Sequence, residues 1–98
     1  MKRAVALSPA AARQFRKLSA HERAKLRHAF VTRLAGDDAT HEDRNRFRLR
    51  RLSEVAEFEL RVEDLRAFYR VRGAQVQVVL IGRKKGDTLL IDGQRFKL

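Results

Sequence analysis

The sequence predicts an α+β domain: an antiparallel β-sheet meander with an N-terminal strand and an αα-hairpin packed on one face. Apolar runs at 58–62, 65–71 and 76–81 are separated only by Glu63-Asp64 and by 72–75, whose turn is Arg72-Gly73-Ala74. Gaps that short permit nothing but tight antiparallel turns. Two serine caps, Ser8 before Pro9 and Ser19 three residues ahead of Glu22, each precede a stretch with helically spaced apolar residues. At 98 residues the chain has room for a single domain, 1–98, with one modest core.

In chain order, Ala4-Val5-Ala6-Leu7 reads as a short strand. Proline at the first helical position, where its missing N–H does no harm, starts a helix over 9–18 whose inner stripe is Ala11, Phe15 and Leu18. The Ser19/Glu22 capping box opens a second helix that reaches about residue 34, with Leu26, Phe30 and Leu34 as its core face and Gly36 as a left-handed C-cap. Residues 37–46 are almost all polar and read as a surface loop. Residues 46–52 alternate basic and apolar, which as a strand directs Phe47 and Leu49 inward and Arg46, Arg48 and Arg50 outward.

Within the meander, parity assigns Phe58, Leu60, Val62, Leu65, Ala67, Tyr69 and Val71 to the helix-bearing face. Glu57, Glu59, Arg61, Arg66, Phe68, Arg70 and Arg72 take the other, which reads as a charged surface with Phe68 among guanidinium groups. The third run is apolar on both sides, as a central strand is, with Val76, Val78 and Leu80 on one face and Val79 and Ile81 on the other. Residues 82–87 then read as a basic loop, 88–91 as a further strand, and Gly82, Gly86 and Gly93 as turn glycines.

Charge narrows the partner. Lys and Arg number 23 against 12 Asp and Glu, a formal net charge of +11. A domain this basic points to a polyanion, nucleic acid first. Arginine outnumbers lysine by 17 to 6, which favours planar bidentate contact with phosphate. The residues expected to bind nucleic acid are Arg48, Arg50, Arg51, Arg70, Arg83 and Lys85. With no cysteine there is neither a disulfide nor a thiolate zinc site, which fits a reducing cytoplasm. No apolar run is long enough to span a bilayer, so no membrane partner is expected. His21, His28 and His41 carry no H-E-x-x-H spacing and read as surface histidines, so no metal and no cofactor is expected.

The run ELRVEDLRAFYRV and the following VQVVLIGRKKGDTLLIDG resemble the core of the RelE/ParE superfamily of toxins from bacterial type II toxin–antitoxin systems. Leu60, Arg61, Val62, Asp64, Arg66, Tyr69, Val71, Gly82 and Arg83 fall on the family pattern, and the order of elements makes the likeness span nearly the whole chain. The resemblance implies a β-α-α-β-β-β domain and a growth-inhibiting toxin neutralised by a cognate antitoxin that docks as a helix in a groove or as an added strand. RelE-like members cut mRNA on the ribosome without a metal; ParE-like members poison DNA gyrase. The first activity is the favoured expectation, with gyrase inhibition and a non-catalytic basic RNA-binding module as alternatives.

Metal-free RNA cleavage needs a general base for the 2′-hydroxyl, cations for the charged phosphorane and an acid for the leaving oxygen. Arginine supplies only the cation. Where the family often carries lysines this chain has Glu57 and Glu59, and Leu90 stands where a tyrosine is expected. The catalytic candidates are therefore Arg61, Arg66 and Lys84 as cations and Glu59 as a base. The competing and favoured reading of Glu57 and Glu59 is ion pairing with arginines across the sheet.

Overall fold

The computed structural model describes residues 2–49 and 56–96. Within them one sheet of seven strands carries two helices: β1 (Ala4–Leu7), α1 (Pro9–Arg16), α2 (Ala20–Ala29) with a π-helical extension (Phe30–Ala35), β2 (Arg46–Arg48), β3 (Phe58–Val62), β4 (Leu65–Arg72), β5 (Gln75–Lys85), β6 (Thr88–Ile91) and β7 (Gln94–Arg95). The strand order is β2-β3-β4-β5-β6-β7, antiparallel throughout, with β1 added parallel to β5. Four two-residue loops join β3 through β7, and the first residue of each has positive φ. Glu63 does so without being glycine (φ 56°), at a cost of order 1 kcal/mol.

The local signals act as expected at the helix starts. Ser8 Oγ accepts from Ala11 N–H, and Ser19 and Glu22 form the reciprocal capping box. Leu26, Phe30 and Leu34 are buried against Phe58, Leu60, Tyr69, Val76 and Val78. Helix α1 ends at Arg16, two residues early, and Gly36 is right-handed (φ −87°) rather than a left-handed cap. Its N–H instead bonds Val31 O at 2.8 Å, the i−5 spacing of the π-turn that closes the second helix.

Strand β5 is the spine. β4 lies along one edge, and β1 and then β6 along the other, beside Gln75–Val78 and Arg83–Lys85 in turn. Between β1 and β6 side chains replace the missing strand. Ser8 Oγ donates to Val79 O at 2.8 Å, and the buried Gln14 accepts from Ile81 N–H at 2.7 Å while its amide donates to Asp92. An unpartnered amide in that gap is costly, which is why a glutamine is buried there, at a position outside the Ala11, Phe15 and Leu18 stripe.

Four expectations about the sheet are corrected. A bulge between Phe68 and Tyr69 pairs Phe68 with Leu80 and Tyr69 with Val78, so Ile81 joins Val76 and Val78 on the helical face while Leu80 crosses to the other. Strand β5 runs through to Lys85, so Arg83, Lys84 and Lys85 are strand residues rather than a loop. Gly82 lies inside that strand, where a Cβ would come within 2.7 Å of Leu90 O and 2.8 Å of Ile91 Cγ1; it is a close-approach glycine, not a turn glycine. Phe68, expected among guanidiniums, is 1% exposed in a second cluster with Ala56 and Ile91, flanked by Leu49, Val79, Leu80, Leu89 and Phe96.

The largest correction concerns β2. Its register, Arg46 opposite Leu60 and Arg48 opposite Phe58, turns both arginines to the helical face and Phe47 away from it. Arg46 is 1% exposed and is the hub of the 36–45 segment. Its guanidinium donates to Arg33 O (2.7 Å), Asp38 O (3.0 Å), Asp37 Oδ2 (3.0 Å) and Asp43 Oδ2 (2.9 Å). Tyr69, buried as parity requires, donates to Ala39 O at 2.6 Å, and burial pushes its hydroxyl pKa well up. The polar loop is thus folded over its own buried core rather than lying loose on the surface.

Candidate functional site

Strand β3 presents Glu59 and Arg61, and β4 presents Arg66, on the face away from the helices. Arg61 and Arg66 are direct cross-strand partners. Like charges in that relation repel. Arg61 is held from two sides: its Nε donates to Glu59 Oε2 at 2.7 Å, and its guanidinium lies 4.4 Å from the centroid of the Phe47 ring. That leaves the far edge of its fork directed elsewhere. Arg66 has no carboxylate partner among the described residues. One of its terminal nitrogens donates to Glu63 O (2.6 Å) and Leu65 O (2.8 Å), and its buried Nε has no partner. Burial, then the repulsion of Arg61, lowers its pKa, yet a guanidinium remains charged at any physiological pH.

Lys84 reaches the same face from β5: it pairs with Leu89, whose side chain packs in the Phe68 cluster, and its N–H is fixed by Asp64 O at 2.7 Å. Three cations, Arg61, Arg66 and Lys84, therefore share one face at the β3–β4 turn end of the sheet. Glu59 is the carboxylate beside them, and it is already paired to Arg61. Glu57 is likewise paired, to Arg72 at 3.0 Å. Glu57 adopts the cross-sheet pairing that competed with a catalytic role, whereas Glu59 pairs along its own strand, two residues from Arg61.

The remaining candidates do not join this cluster. Arg70 shares the face but lies four residues along β4 from Arg66, about 13 Å away, and bonds Gln77 at 2.7 Å. Arg48 sits on the helical face, 4.6 Å over the Phe58 ring. Arg83 is also on the helical face, bound to Glu22 and Asp64; the Glu22 bond first, then Asp64, pushes its pKa further up. Lys85 follows the same strand edge and is exposed. Arg50 and Arg51 lie outside the described residues. Instead of a continuous ladder of guanidinium groups, the face has a cationic end, an apolar centre around Phe68 and a second polar end.

Phe47, under the Arg61 guanidinium, and Asn45, whose carbonyl accepts from the Arg61 N–H, support the site; sequence alternation assigns Phe47 only an inward position and does not mark Asn45. The acid-rich stretch Asp37, Asp38 and Asp43 just ahead of Arg46 was the available signal that this arginine is internally neutralised. His21, His28 and His41 are exposed, and no three His, Asp or Glu side chains converge among the described residues. Nor, among those residues, is any helix long and apolar enough to cross a membrane. No protein-family model matches the chain, and no curated protein matches it in sequence.

Proposed function

We propose that this chain is a RelE/ParE-like growth-inhibiting toxin of a type II toxin–antitoxin pair, acting in the cytoplasm on translation as a ribosome-dependent mRNA interferase. The observation that carries the reading is the Arg61–Arg66 pair with Lys84 on the same face. Two guanidiniums held side by side, one already oriented and the other without an acid, suit a phosphodiester, whose charge would relieve their repulsion. Arg66 and Arg61 would grip the scissile phosphate and stabilise the phosphorane, with Lys84 as a further cation. Glu59 is the carboxylate within reach of a 2′-hydroxyl, and serves as base only if RNA displaces it from Arg61.

A neutralising partner is part of the same reading. An apolar groove of about 410 Å³ between β1, α1 and the π-helical extension is lined by Val5, Leu7, Phe15, Phe30 and Val31, with Arg3 and Arg27 at its rim. Val31 is 60% exposed, and β1 pairs with β5 alone among the described strands. Such a surface suits an antitoxin segment with apolar anchors and acidic flanks.

Gyrase inhibition is the second reading, and the Glu59–Arg61 bond favours it by leaving no free base at the site. Induced expression without antitoxin should arrest growth, and purified protein should cut message on programmed ribosomes. Supercoiling assays with purified gyrase separate the two readings. Arg66→Ala should abolish toxicity while the chain still folds; full toxicity of that variant removes this face from consideration.

A further inference from the structure

At the outer edge of β3 a groove of about 390 Å³ runs between that strand and α2 with its extension, within the range of small-ligand pockets, roughly 300–1,000 Å³. Ala29, Leu60 and Val62 are its apolar lining; His28, Thr32 and Asn45 are its polar one. The groove exists because β2 pairs with β3 only as far as Leu60, so Arg61 and Val62 have no strand on that outer edge, and a single bond, Arg61 N–H to Asn45 O at 2.7 Å, spans the opening.

The charges around this groove are balanced. Lys25 is bonded to Glu63 and Arg33 to Asp43, so neither cation is spare for an anion. What is spare is neutral hydrogen-bonding capacity. The Asn45 side-chain amide has no partner among the described residues, although its backbone N–H and C=O are both engaged. Thr32 Oγ1 donates to His28 O and keeps its acceptor sites. An apolar lining with an amide that both donates and accepts suits a flat neutral heterocycle, not a carboxylate or phosphate. Arg61 lines this groove, while its guanidinium lies across the open β3 edge in the cationic cluster on the opposite face.

From this juxtaposition we infer that the β3–α2 groove is a nucleobase subsite, taking the base of a nucleotide whose backbone crosses the open β3 edge to phosphates held by Arg61 and Arg66. The inference rests on the RNA-binding reading above and adds to it: Asn45 reads the base edge, with His28 at the mouth.

The test compares two single-stranded oligoribonucleotides of about eight nucleotides, one normal and one with abasic residues, a length within the usual site sizes of single-strand binders. Binding to the full chain is followed by fluorescence anisotropy. Wild type should bind the normal strand at least about fivefold more tightly than the abasic one, as expected when a protein holds a base. Asn45→Ala should reduce that ratio to within about twofold, and His28→Ala should lower it. Both residues have exposed or unpartnered side chains, and unchanged thermal melts establish that the variants fold. Equal affinity of wild type for both strands, weakened by salt and by Arg66→Ala, overturns the base subsite while leaving the phosphate site standing. Discrimination that survives in both variants also overturns it, because the base is then held elsewhere. If neither strand binds at any salt, the RNA-binding reading fails and the subsite with it.

Discussion

Arg46 and Arg66 are both strand arginines, yet their surroundings are opposite. Arg46 is almost wholly enclosed, with two carboxylates and two carbonyls on its two terminal nitrogens. Arg66 is half-buried, rests on two carbonyls of its own turn, and faces another arginine across the strand pair. A buried charge tied to two carboxylates and two carbonyls is a structural device. A partly desolvated charge opposite a like charge has unused binding capacity. The contrast teaches that exposure is a poor guide to which basic residue serves a ligand; unbalanced charge is the better one.

The sharpest way to break this contrast is Arg46→Met. Removing the guanidinium strands four acceptors, and the chain should lose about 3 kcal/mol, less than a fully buried pair because Asp37 stays half exposed. Urea denaturation should show this as a lower midpoint with little change in slope. A loss below about 1 kcal/mol makes the arginine dispensable to the fold.

Acid should act on the same region. Hydrogen bonds from the Thr40 hydroxyl and N–H, then Arg3, lower Asp38 to about 2 from an ordinary 3.8. The Asp38 N–H, then Arg46, lower Asp37. Burial presses Asp43 upward, but the Asn45 N–H and Arg46 outweigh it, and its value also falls. Carboxylates depressed in the folded state contribute stability that is fully present above about pH 4 and is lost as pH falls toward 2. Thermal melts across that window should show a declining midpoint, and Arg46→Met should flatten the decline. An equal decline in that variant means that Arg46 is not what these acids sense.

Tyr69→Phe removes only the bond to Ala39 O and should cost about 1 kcal/mol, read in the same urea titration. The smallest effect on stability belongs to Arg66→Ala. Relief of the clash with Arg61 offsets the lost carbonyl bonds, and the change should stay within about 0.5 kcal/mol. RNA affinity should nevertheless fall, and the salt dependence of binding should drop by about one phosphate contact. Severe destabilisation by Arg66→Ala, or unchanged binding, erases the distinction between the two arginines.

What the chain determined by itself is its local structure. Ser8-Pro9 and Ser19-x-x-Glu22 act on backbone donors a few residues away, and Gly73 and Gly86 supply the positive φ of their loops. Period-two alternation from Phe58 to Arg72 assigns both faces of β3 and β4, because the short loop between them leaves no freedom of register. The Glu57–Arg72 pairing across the sheet, and the sharing of one face by Arg61 and Arg66, were legible for the same reason. Only the tertiary structure decided which face of β2 turns inward. Alternation states that Arg46 and Phe47 are on opposite sides, but the side is set by pairing with β3 and by acids supplied from Asp37 and Asp43. Likewise the Phe68/Tyr69 bulge leaves no mark in composition, yet by inserting one residue it exchanges Leu80 and Ile81 and carries Arg83 to the helices. Parity propagates along a strand only while the ladder is unbroken. Where an extra residue enters, or a distant acid neutralises a charge, the outcome belongs to the assembled fold.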